Sequence, residues 1–263
     1  MERDEARALC RRARERPESV EFDTAVAGLR AEDRLVRTKI TGAFSTVAKT
    51  DPDRVGQYVD ALVDCLDDPD PDVRMNATHA FGAIARSDPD SISRYLDRLV
   101  PALEDGAAEV RQNAAFVFGE VAKTDARSVS PHLAAFQSRL ADSNDRVRTN
   151  AAFIFRRVAA TNPATVGAHL EPVAARLTDA NATVRRNLTL AVADVAEADP
   201  ELVRPYLDRV ELCLSDPNER IRAAAAAVFR AVEYTDDGPT DTKIYRPETS
   251  GGDAAATDQS DTD

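Results

Sequence analysis

The sequence predicts an all-α solenoid, a stack of helical hairpins in which each repeat contacts only its neighbours. Three observations predict it: a Val-Arg or Ile-Arg dipeptide recurs every 37 residues, the apolar residues between these dipeptides follow helical spacing, and no segment alternates like a strand. The dipeptides, which we call anchors, are Val36-Arg37, Val73-Arg74, Val110-Arg111, Val147-Arg148, Val184-Arg185 and Ile221-Arg222. We therefore expect six repeats over residues 31–234, wound into a right-handed superhelix.

Residues 1–30 precede the first repeat and are predicted to form two capping helices. Residues 2–16 are rich in charged helix formers, and Pro17 ends this segment. Helical spacing relates two sets of apolar residues: Ala6, Leu9, Cys10 and Ala13 in the first helix, then Val20, Phe22, Val26 and Leu29 in the second. A cap with a polar outer face shields the end of the core, as repeat arrays require.

Each anchor begins the second helix of its repeat. In the fourth copy, apolar residues follow the anchor valine by 4, 7, 8 and 11 positions and form one helical face, made of Val147, Ala151, Ile154, Phe155 and Val158. The position eight residues after the anchor is Phe in every copy except the fifth, which has Val192. The second helices are predicted at about residues 33–49, 70–86, 107–123, 144–160, 181–197 and 218–234.

A short stop separates each second helix from the first helix of the next repeat. The stops are Thr50-Asp51-Pro52, Ser87-Asp88-Pro89, Thr161-Asn162-Pro163 and Ala198-Asp199-Pro200. Asp or Asn before Pro is typical of a helix start, because the side chain caps the helix and proline at the first position loses no needed N–H. The apolar face that follows the first stop predicts a single first helix through Val55, Tyr58, Val59, Leu62 and Leu66.

An Asp lies six residues before the anchor arginine in five copies, within the pattern L-x-D-x-x-x-x-[VI]-R. Over about residues 18–234 this pattern resembles the HEAT repeat family, most of whose members are scaffolds and adaptors. In that family the Asp and the Arg form a ladder between repeats, held by charge-assisted hydrogen bonds. The resemblance therefore implies a structural role for Asp68, Arg74, Asp105, Arg111, Asp142, Arg148, Asp179, Arg185, Asp216 and Arg222.

Residues 235–263 follow the array and carry eight acids against Lys243 and Arg246. The segment is polar and contains Gly, Pro, Thr and Ser, so it predicts a disordered acidic tail that is dispensable for folding. The whole chain has a net charge of -12, with 30 Arg and only four Lys. This composition resembles that of proteins from salt-accumulating organisms, in which net charge maintains solubility, although a GC-rich genome would also favour Arg.

Two series of side chains recur beside the apolar face of the second helices. Asn follows the anchor valine by three positions in four copies, and His, Phe or Leu follows it by six. In armadillo arrays, a related solenoid, an asparagine ladder holds an extended peptide; here the Asn series could instead join neighbouring repeats, and the Phe residues could pack against the next repeat. Together with nearby arginines, the two series predict a partner-binding face. Its candidate residues are His79, Asn113, Phe116, Asn150, Phe153, Arg156, Arg186, Asn187 and Leu190.

The sequence shows no catalytic or cofactor-binding pattern. There are three His without a His-Glu dyad, three Cys without a CxxC pair, no P-loop and no GxGxxG. No apolar run approaches the ~20 residues of a membrane helix, and the charged N-terminus does not resemble a signal peptide. We expect a cytoplasmic protein with no catalytic residues, no cofactor, no metal and no membrane insertion.

The sequence favours a non-enzymatic scaffold that binds a protein partner on the concave face of the second helices. A first alternative is binding of nucleic acid or an anionic ligand through residues 139–188, which hold eight Arg against four acids. The acidic chain without Trp disfavours nucleic acid, since HEAT-fold DNA glycosylases present a basic concave surface with Trp. A second alternative is an enzyme similar to the phycobilin lyase-like HEAT proteins, whose shorter repeats differ from the strict 37-residue period.

Overall fold

The computed structural model describes residues 1–236, and the regular elements of this part of the chain are all helices, with no strand. Its seven long α-helices, named α1 to α7, are Arg3–Glu15, Arg34–Ala48, Pro71–Ser87, Ala108–Thr124, Asp145–Ala159, Ala182–Ala198 and Glu219–Asp236. The predicted all-α fold is confirmed, and α2 to α7 lie within two residues of the predicted second helices. The last helix includes the first two residues of the predicted tail, and residues 237–263 lie outside the described residues.

The first half of each repeat is not the single α-helix that the sequence predicts. It is broken into short α and 3-10 turns. Before α3 these are Pro52–Gly56, Val59–Leu62 and the 3-10 turn Val63–Asp67; before α4 they are Pro89–Ser93, Leu96–Leu99 and the 3-10 turn Pro101–Glu104. Before α5 they are Ala126–Val129, 3-10 Ser130–His132, Leu133–Gln137 and 3-10 Ser138–Ala141; before α6, Pro163–Gly167 and Leu170–Ala174; before α7, Pro200–Val203, 3-10 Arg204–Tyr206, Leu207–Glu211 and 3-10 Leu212–Ser215.

One residue in each first segment has the same non-helical backbone conformation. At Tyr58 φ is -111° and ψ is 13°, and the equivalent residues Tyr95, His132, His169 and Tyr206 have φ between -96° and -122° with ψ between 2° and 18°. Pro131 and Pro205 reinforce the break in two repeats, because proline cannot donate a helical hydrogen bond. A residue with ψ near 0° interrupts the regular helix, so the turns before and after it cannot share one axis.

The break turns an aromatic or imidazole ring onto the second helix of the preceding repeat. Edge-on contacts join Phe44 to Tyr58 at 5.6 Å between ring centroids, Phe81 to Tyr95 at 5.9 Å, Phe118 to His132 at 5.4 Å and Phe155 to His169 at 6.1 Å. Such aromatic pairs add stabilisation beyond the area they bury. The break does not depend on this ring contact, because Tyr206 has the same backbone conformation although the preceding second helix carries Val192 in place of the Phe. The ring pair is therefore a contact that the break allows in four repeats.

The N-terminal segment covers the first repeat, but its second capping helix is also irregular. Pro17–Ser19 and Val26–Arg30 are 3-10 turns. The Nη2 atom of Arg54 donates to the backbone carbonyls of Pro17 and Val20, both at 2.9 Å, and its guanidinium lies 5.3 Å from the centroid of the Phe22 ring. Arg54 therefore ties the irregular N-terminal turns to the first segment of the following repeat.

A continuous core runs through the described residues from Ala6 to Val232. The Phe residues eight positions after the anchor are fully buried in the first four copies, as Phe44, Phe81, Phe118 and Phe155. The last repeat differs: Phe229 is half-buried, and Leu214 is 39% exposed although its equivalent Leu177 is 1% exposed. Within residues 1–236 the core is therefore covered at its N-terminal end and open at α7.

Each of the first five anchor arginines joins two repeats. Arg111 donates from Nε to Asp142 Oδ2 at 2.8 Å and from Nη2 to Asp142 Oδ1 at 3.0 Å, while its Nη1 donates to the backbone carbonyl of Asp105 at 2.8 Å. The equivalent pairs are Arg37–Asp68, Arg74–Asp105, Arg148–Asp179 and Arg185–Asp216. The carboxylate partner thus belongs to the following repeat, 31 residues on, and the Asp six residues earlier contributes only its carbonyl.

Three of the ladder aspartates are held in the charged form despite their burial. Burial raises the pKa of the Asp142 carboxyl, but hydrogen bonds from Arg111 and from the backbone N–H of Asn144 outweigh it and hold the pKa below its ordinary 3.8. The pKa of Asp105 is lowered in the same way, against the same effect of burial. For Asp216 the hydrogen bond from Arg185 is the main cause of a lowered pKa. The structure therefore favours the charged form of these three carboxylates.

We expect Asp142→Ala to destabilise the array by about 1.5–3 kcal/mol, the range for hydrogen bonds to charged groups. The substitution leaves Arg111, whose side chain is 12% exposed, without its carboxylate acceptor. Urea unfolding followed by circular dichroism measures the change. Asp97→Ala is the control, since it removes a carboxylate that is 93% exposed. Equal unfolding midpoints for the two variants would contradict the structural role of the ladder.

The ladder also predicts a loss of stability in acid. A carboxyl whose pKa is lowered by folding contributes stability above its unfolded-state pKa, near 3.8, and this contribution is lost as the pH falls through the lower folded-state pKa. The free energy of unfolding should therefore fall below about pH 4. Asp142→Asn should flatten this pH dependence, measured by urea midpoints across the acid range, and an unchanged slope would argue against a charged Asp142.

Candidate functional site

An open groove of about 830 Å³ lies on the face formed by the second helices. It is lined by the end of α2, the C-terminal half of α3, the middle of α4, the start of α5 and the start of α6. The groove therefore crosses five consecutive helices obliquely. A cleft that reaches several stacked helices is the usual place for a ligand.

Phe116 forms an apolar patch in this groove. Its ring is half-buried and packs on the backbone of the preceding repeat at Gly82, where an added Cβ would lie 3.1 Å from the Phe116 Cδ1 atom. The guanidinium of Arg86 lies 4.9 Å from the centroid of the same ring. Gly82 thus leaves the space that the ring occupies, and Arg86 holds a cation–π contact with it.

The asparagine series divides into two groups. Asn76 and Asn113 donate from Nδ2 to the preceding repeat: Asn113 reaches the Met75 carbonyl and the Thr78 hydroxyl, both at 3.4 Å. Asn76 makes the equivalent contacts with Thr38 and Thr41. These two amides join neighbouring repeats, one of the two roles considered for the series.

Asn150 and Asn187 lack this inter-repeat contact. The position of the Thr hydroxyl is occupied by Ala115 and Ala152 in these copies. Within residues 1–236 the Asn150 side chain makes no hydrogen bond, although it is half-buried and lines the groove. Asn187 is 2% exposed, lies outside the groove lining and has an unpaired Oδ1. Asn150 is therefore the member of the series with hydrogen-bonding capacity available to a bound chain.

His79 lines the groove as part of the framework. Its Nδ1 lies 3.0 Å from the Ser45 hydroxyl of the preceding repeat. Burial lowers the pKa of His79, and the positive charges of Lys49 and Arg86 lower it further. The imidazole is therefore neutral at pH 7, since its ordinary pKa is 6.5.

Three basic residues line the groove and make no ion pair in the part of the chain that the structure describes: Lys49, Arg86 and Arg146. Each is exposed, and the acidic residue that lines the groove with them is Asp145, at the start of α5. Arg146 belongs to the eight arginines of residues 139–188, whereas the sequence did not lead us to Lys49 and Arg86. A signal for these two was present, because Lys49, Arg86 and Lys123 each follow their anchor valine by 13 positions. Their position at the helix ends, away from the apolar face, obscured it.

The structure brings together four of the nine predicted binding residues. His79, Asn113, Phe116 and Asn150 line the groove, whereas Phe153, Leu190, Asn187, Arg156 and Arg186 do not. Phe153 packs on the preceding repeat as Phe116 does, with its Cδ1 3.9 Å from the position of a Cβ on Gly119. Phe116 and Phe153 occupy equivalent positions, but the oblique course of the groove includes the first and misses the second.

Four of the eight arginines in residues 139–188 have structural partners. Arg148 and Arg185 belong to the ladder. Arg139 donates to the Leu103 carbonyl at 2.8 Å and to Asp142 at 3.3 Å. Arg157 binds the last carbonyls of α4, with 3.0 Å from Nε to the Ala122 oxygen and 2.8 Å from Nη2 to that of Lys123. Of the other four, Arg146 alone lines the groove in the described part.

Residues 1–236 contain no group of three or more His, Cys, Asp or Glu side chains arranged to hold a metal ion. The two histidines outside the groove have framework contacts, since His132 lies against Phe118 and His169 contacts Gln137. No helix in the same part of the chain is long and apolar enough to cross a membrane.

Two family models match the chain. The model of Cnd1, non-SMC mitotic condensation complex subunit 1, matches residues 89–168 and 159–246, which together exceed half of the chain. The HEAT repeat model matches residues 59–87. Among curated proteins, none matches the sequence.

Several solved structures share the fold. A computationally designed armadillo repeat protein for modular peptide recognition has a TM-score of 0.71 at 23% identity, covering 80% of this chain and 99% of that one. A designed armadillo repeat protein in complex with the peptide (KR)4 has a TM-score of 0.66 at 22% identity, covering 81% and 99%. An engineered protein has a TM-score of 0.71 at 18% identity, covering 88% and 64%. At these identities the likeness shows the fold.

We expect Phe116→Ala to cost less stability than Phe118→Ala, although both residues lie on α4. Phe118 is fully buried, and Phe→Ala changes in a core cost about 3–5 kcal/mol. Phe116 is half-buried and faces the groove, so its removal leaves a smaller cavity. Urea unfolding of the two variants measures the difference. An equal loss of stability would place Phe116 in the core and remove it from the candidate site.

Proposed function

The chain belongs to the HEAT-repeat family, and from this premise we propose that it is a non-enzymatic scaffold that holds a segment of a partner protein in the groove of its second helices. The observation that carries the proposal is the groove itself, which combines an apolar ring at Phe116 with an unpaired amide at Asn150. A ring buried by a partner supplies binding energy, and a nearby amide fixes the register of the bound backbone.

The size of the groove suits an extended peptide segment. It touches five helices in succession, so an extended chain laid along it would meet a new repeat every few residues. Of the designed armadillo proteins that share the fold, one was designed for modular peptide recognition and another is bound to the peptide (KR)4. We extend this mode of binding to the present chain as part of the proposal, with the concave groove as its site.

Nucleic-acid binding through residues 139–188 is the weaker proposal. Half of the arginines there are engaged in structural hydrogen bonds, and the described basic residues of the groove come mainly from other repeats. Phosphate contacts would also make binding fall steeply with salt. The lyase-like alternative gains no support from the groove, where the single histidine, His79, is held neutral and bonded to Ser45.

The experiment compares two matched aromatic substitutions in the full-length chain. Phe116→Ala, alone and with Asn150→Ala, should weaken retention of the partner at least tenfold, about 1.4 kcal/mol. Phe153→Ala is the control, because Phe153 occupies the equivalent position one repeat further on but lies outside the groove lining. Affinity purification with quantitative mass spectrometry measures retention, and circular dichroism verifies folding. Equal retention by the Phe116 and Phe153 variants would reject the groove as the binding site.

A further inference from the structure

We propose that the groove selects a partner segment that carries acidic side chains on either side of an apolar residue. This inference rests on the proposed function and adds the chemistry of the partner. Lys49, Arg86 and Arg146 line the groove. Among the described residues, Asp145 is the one acidic residue that lines it with them. The whole chain has a net charge of -12, so the sign of the groove opposes that of the protein.

The basic residues of the groove are not consumed by the fold. The chain has 46 Asp and Glu against 34 Lys and Arg, so carboxylates are in excess. Each of the first five anchor arginines has a carboxylate within 3.0 Å. In contrast, Lys49, Arg86 and Arg146 make no ion pair within residues 1–236. Other cations of the described part, such as Arg220 and Arg230, are also exposed and make no ion pair. Lys49, Arg86 and Arg146 differ from them because all three line one groove with a single acid, and this local excess indicates a site for a negatively charged partner.

The positive charge acts inside the groove as well as at its rim. Burial lowers the pKa of His79, which lines the groove, and the charges of Lys49 and Arg86 lower it further. Glu120, the buried acid on α4, is neutralised by Lys123, with 2.7 Å between Nζ and each carboxylate oxygen. Asp145 is exposed at the first position of α5, where a helix favours a negative charge. Glu120 and Asp145 therefore do not neutralise Lys49 and Arg86, which lie at the ends of α2 and α3.

The placement of the cations gives the order of side chains in the partner. Lys49 and Arg86 lie at the C-terminal ends of α2 and α3, and Arg146 lies in the first turn of α5. Phe116 and Asn150 line the groove with them. An extended segment along the groove would therefore place an acid near Lys49 and Arg86, an apolar side chain on Phe116 and a second acid near Arg146. Charge-assisted bonds at the two ends would fix its register along the groove.

The test measures fluorescence anisotropy of three labelled octapeptides with the full-length protein at physiological salt. The probes alternate Leu with Glu, Leu with Ser or Leu with Lys. We expect the Glu probe to bind at least tenfold more tightly than the Ser probe and the Lys probe to bind more weakly still. Arg86→Glu with Arg146→Glu should reverse this order. Arg220→Glu with Arg230→Glu is the control, because it makes the same change in net charge at exposed second-helix positions outside the groove lining and should leave the order unchanged.

The outcomes separate this inference from the proposed function. Equal binding of the three probes, with partner retention still lost in Phe116→Ala, would overturn the acidic preference and leave the scaffold standing. If Phe116→Ala leaves retention of the partner unchanged, the proposed function itself is contradicted. If the Glu probe binds only after residues 237–263 are removed, the acidic segment of this chain, and not a separate partner, is the occupant, and the partner assignment falls. If both charge-reversed variants lose the preference for the Glu probe, the net charge of the protein causes that preference. This result would contradict the groove as the site of acidic recognition.

Discussion

The arginine of each of the first five anchors is the constraint on which the array depends. Its guanidinium binds the carboxylate of the next repeat with two nitrogens and a carbonyl of its own repeat with the third, as Arg111 does with Asp142 and Asp105. Both connections have fixed lengths in sequence, 31 residues forward and six back. An insertion between the arginine and its acceptor would move the carboxylate away from a largely buried partner. This explains why the period of 37 residues is kept through all six copies.

A fixed period in turn places equivalent side chains of successive repeats beside each other. Asn113 donates to Thr78 as Asn76 donates to Thr41. Where the sequence repeats, these polar side chains therefore bind each other between neighbouring repeats. Where the repeat changes, the bonds change with it: Ala115 replaces the threonine, and Asn150 is left with its amide unpaired. In such an array, a candidate site therefore arises where one repeat differs in sequence from the others, because the side chains there are left without their usual partner in the neighbouring repeat.

This distinction also explains what the sequence could predict. The second helices and the ladder residues follow the period, and α2 to α7 lie where the apolar spacing places them. The breaks at Tyr58 and its equivalents were missed because apolar spacing alone does not distinguish a helix from a series of turns with the same face. Four of the nine residues predicted for a binding face line the groove. Phe116 and Phe153 have the same local sequence context, and only the oblique path of the groove across the stack, a tertiary property, separates them.

The cations of this chain fall into two groups, the largely buried arginines of the ladder and the exposed cations of the groove. Ladder arginines are 12–21% exposed on partners that are 3–8% exposed, so added salt screens them little. The exposed cations of the groove are open to solvent, and at an ionic strength of about 1 M the screening length shrinks to about 3 Å. Salt would therefore weaken long-range attraction to the proposed acidic segment while leaving the ladder intact. At high ionic strength, recognition of the partner would depend on direct contacts at Phe116 and Asn150. The groove cations would then attract only those acidic groups that they touch.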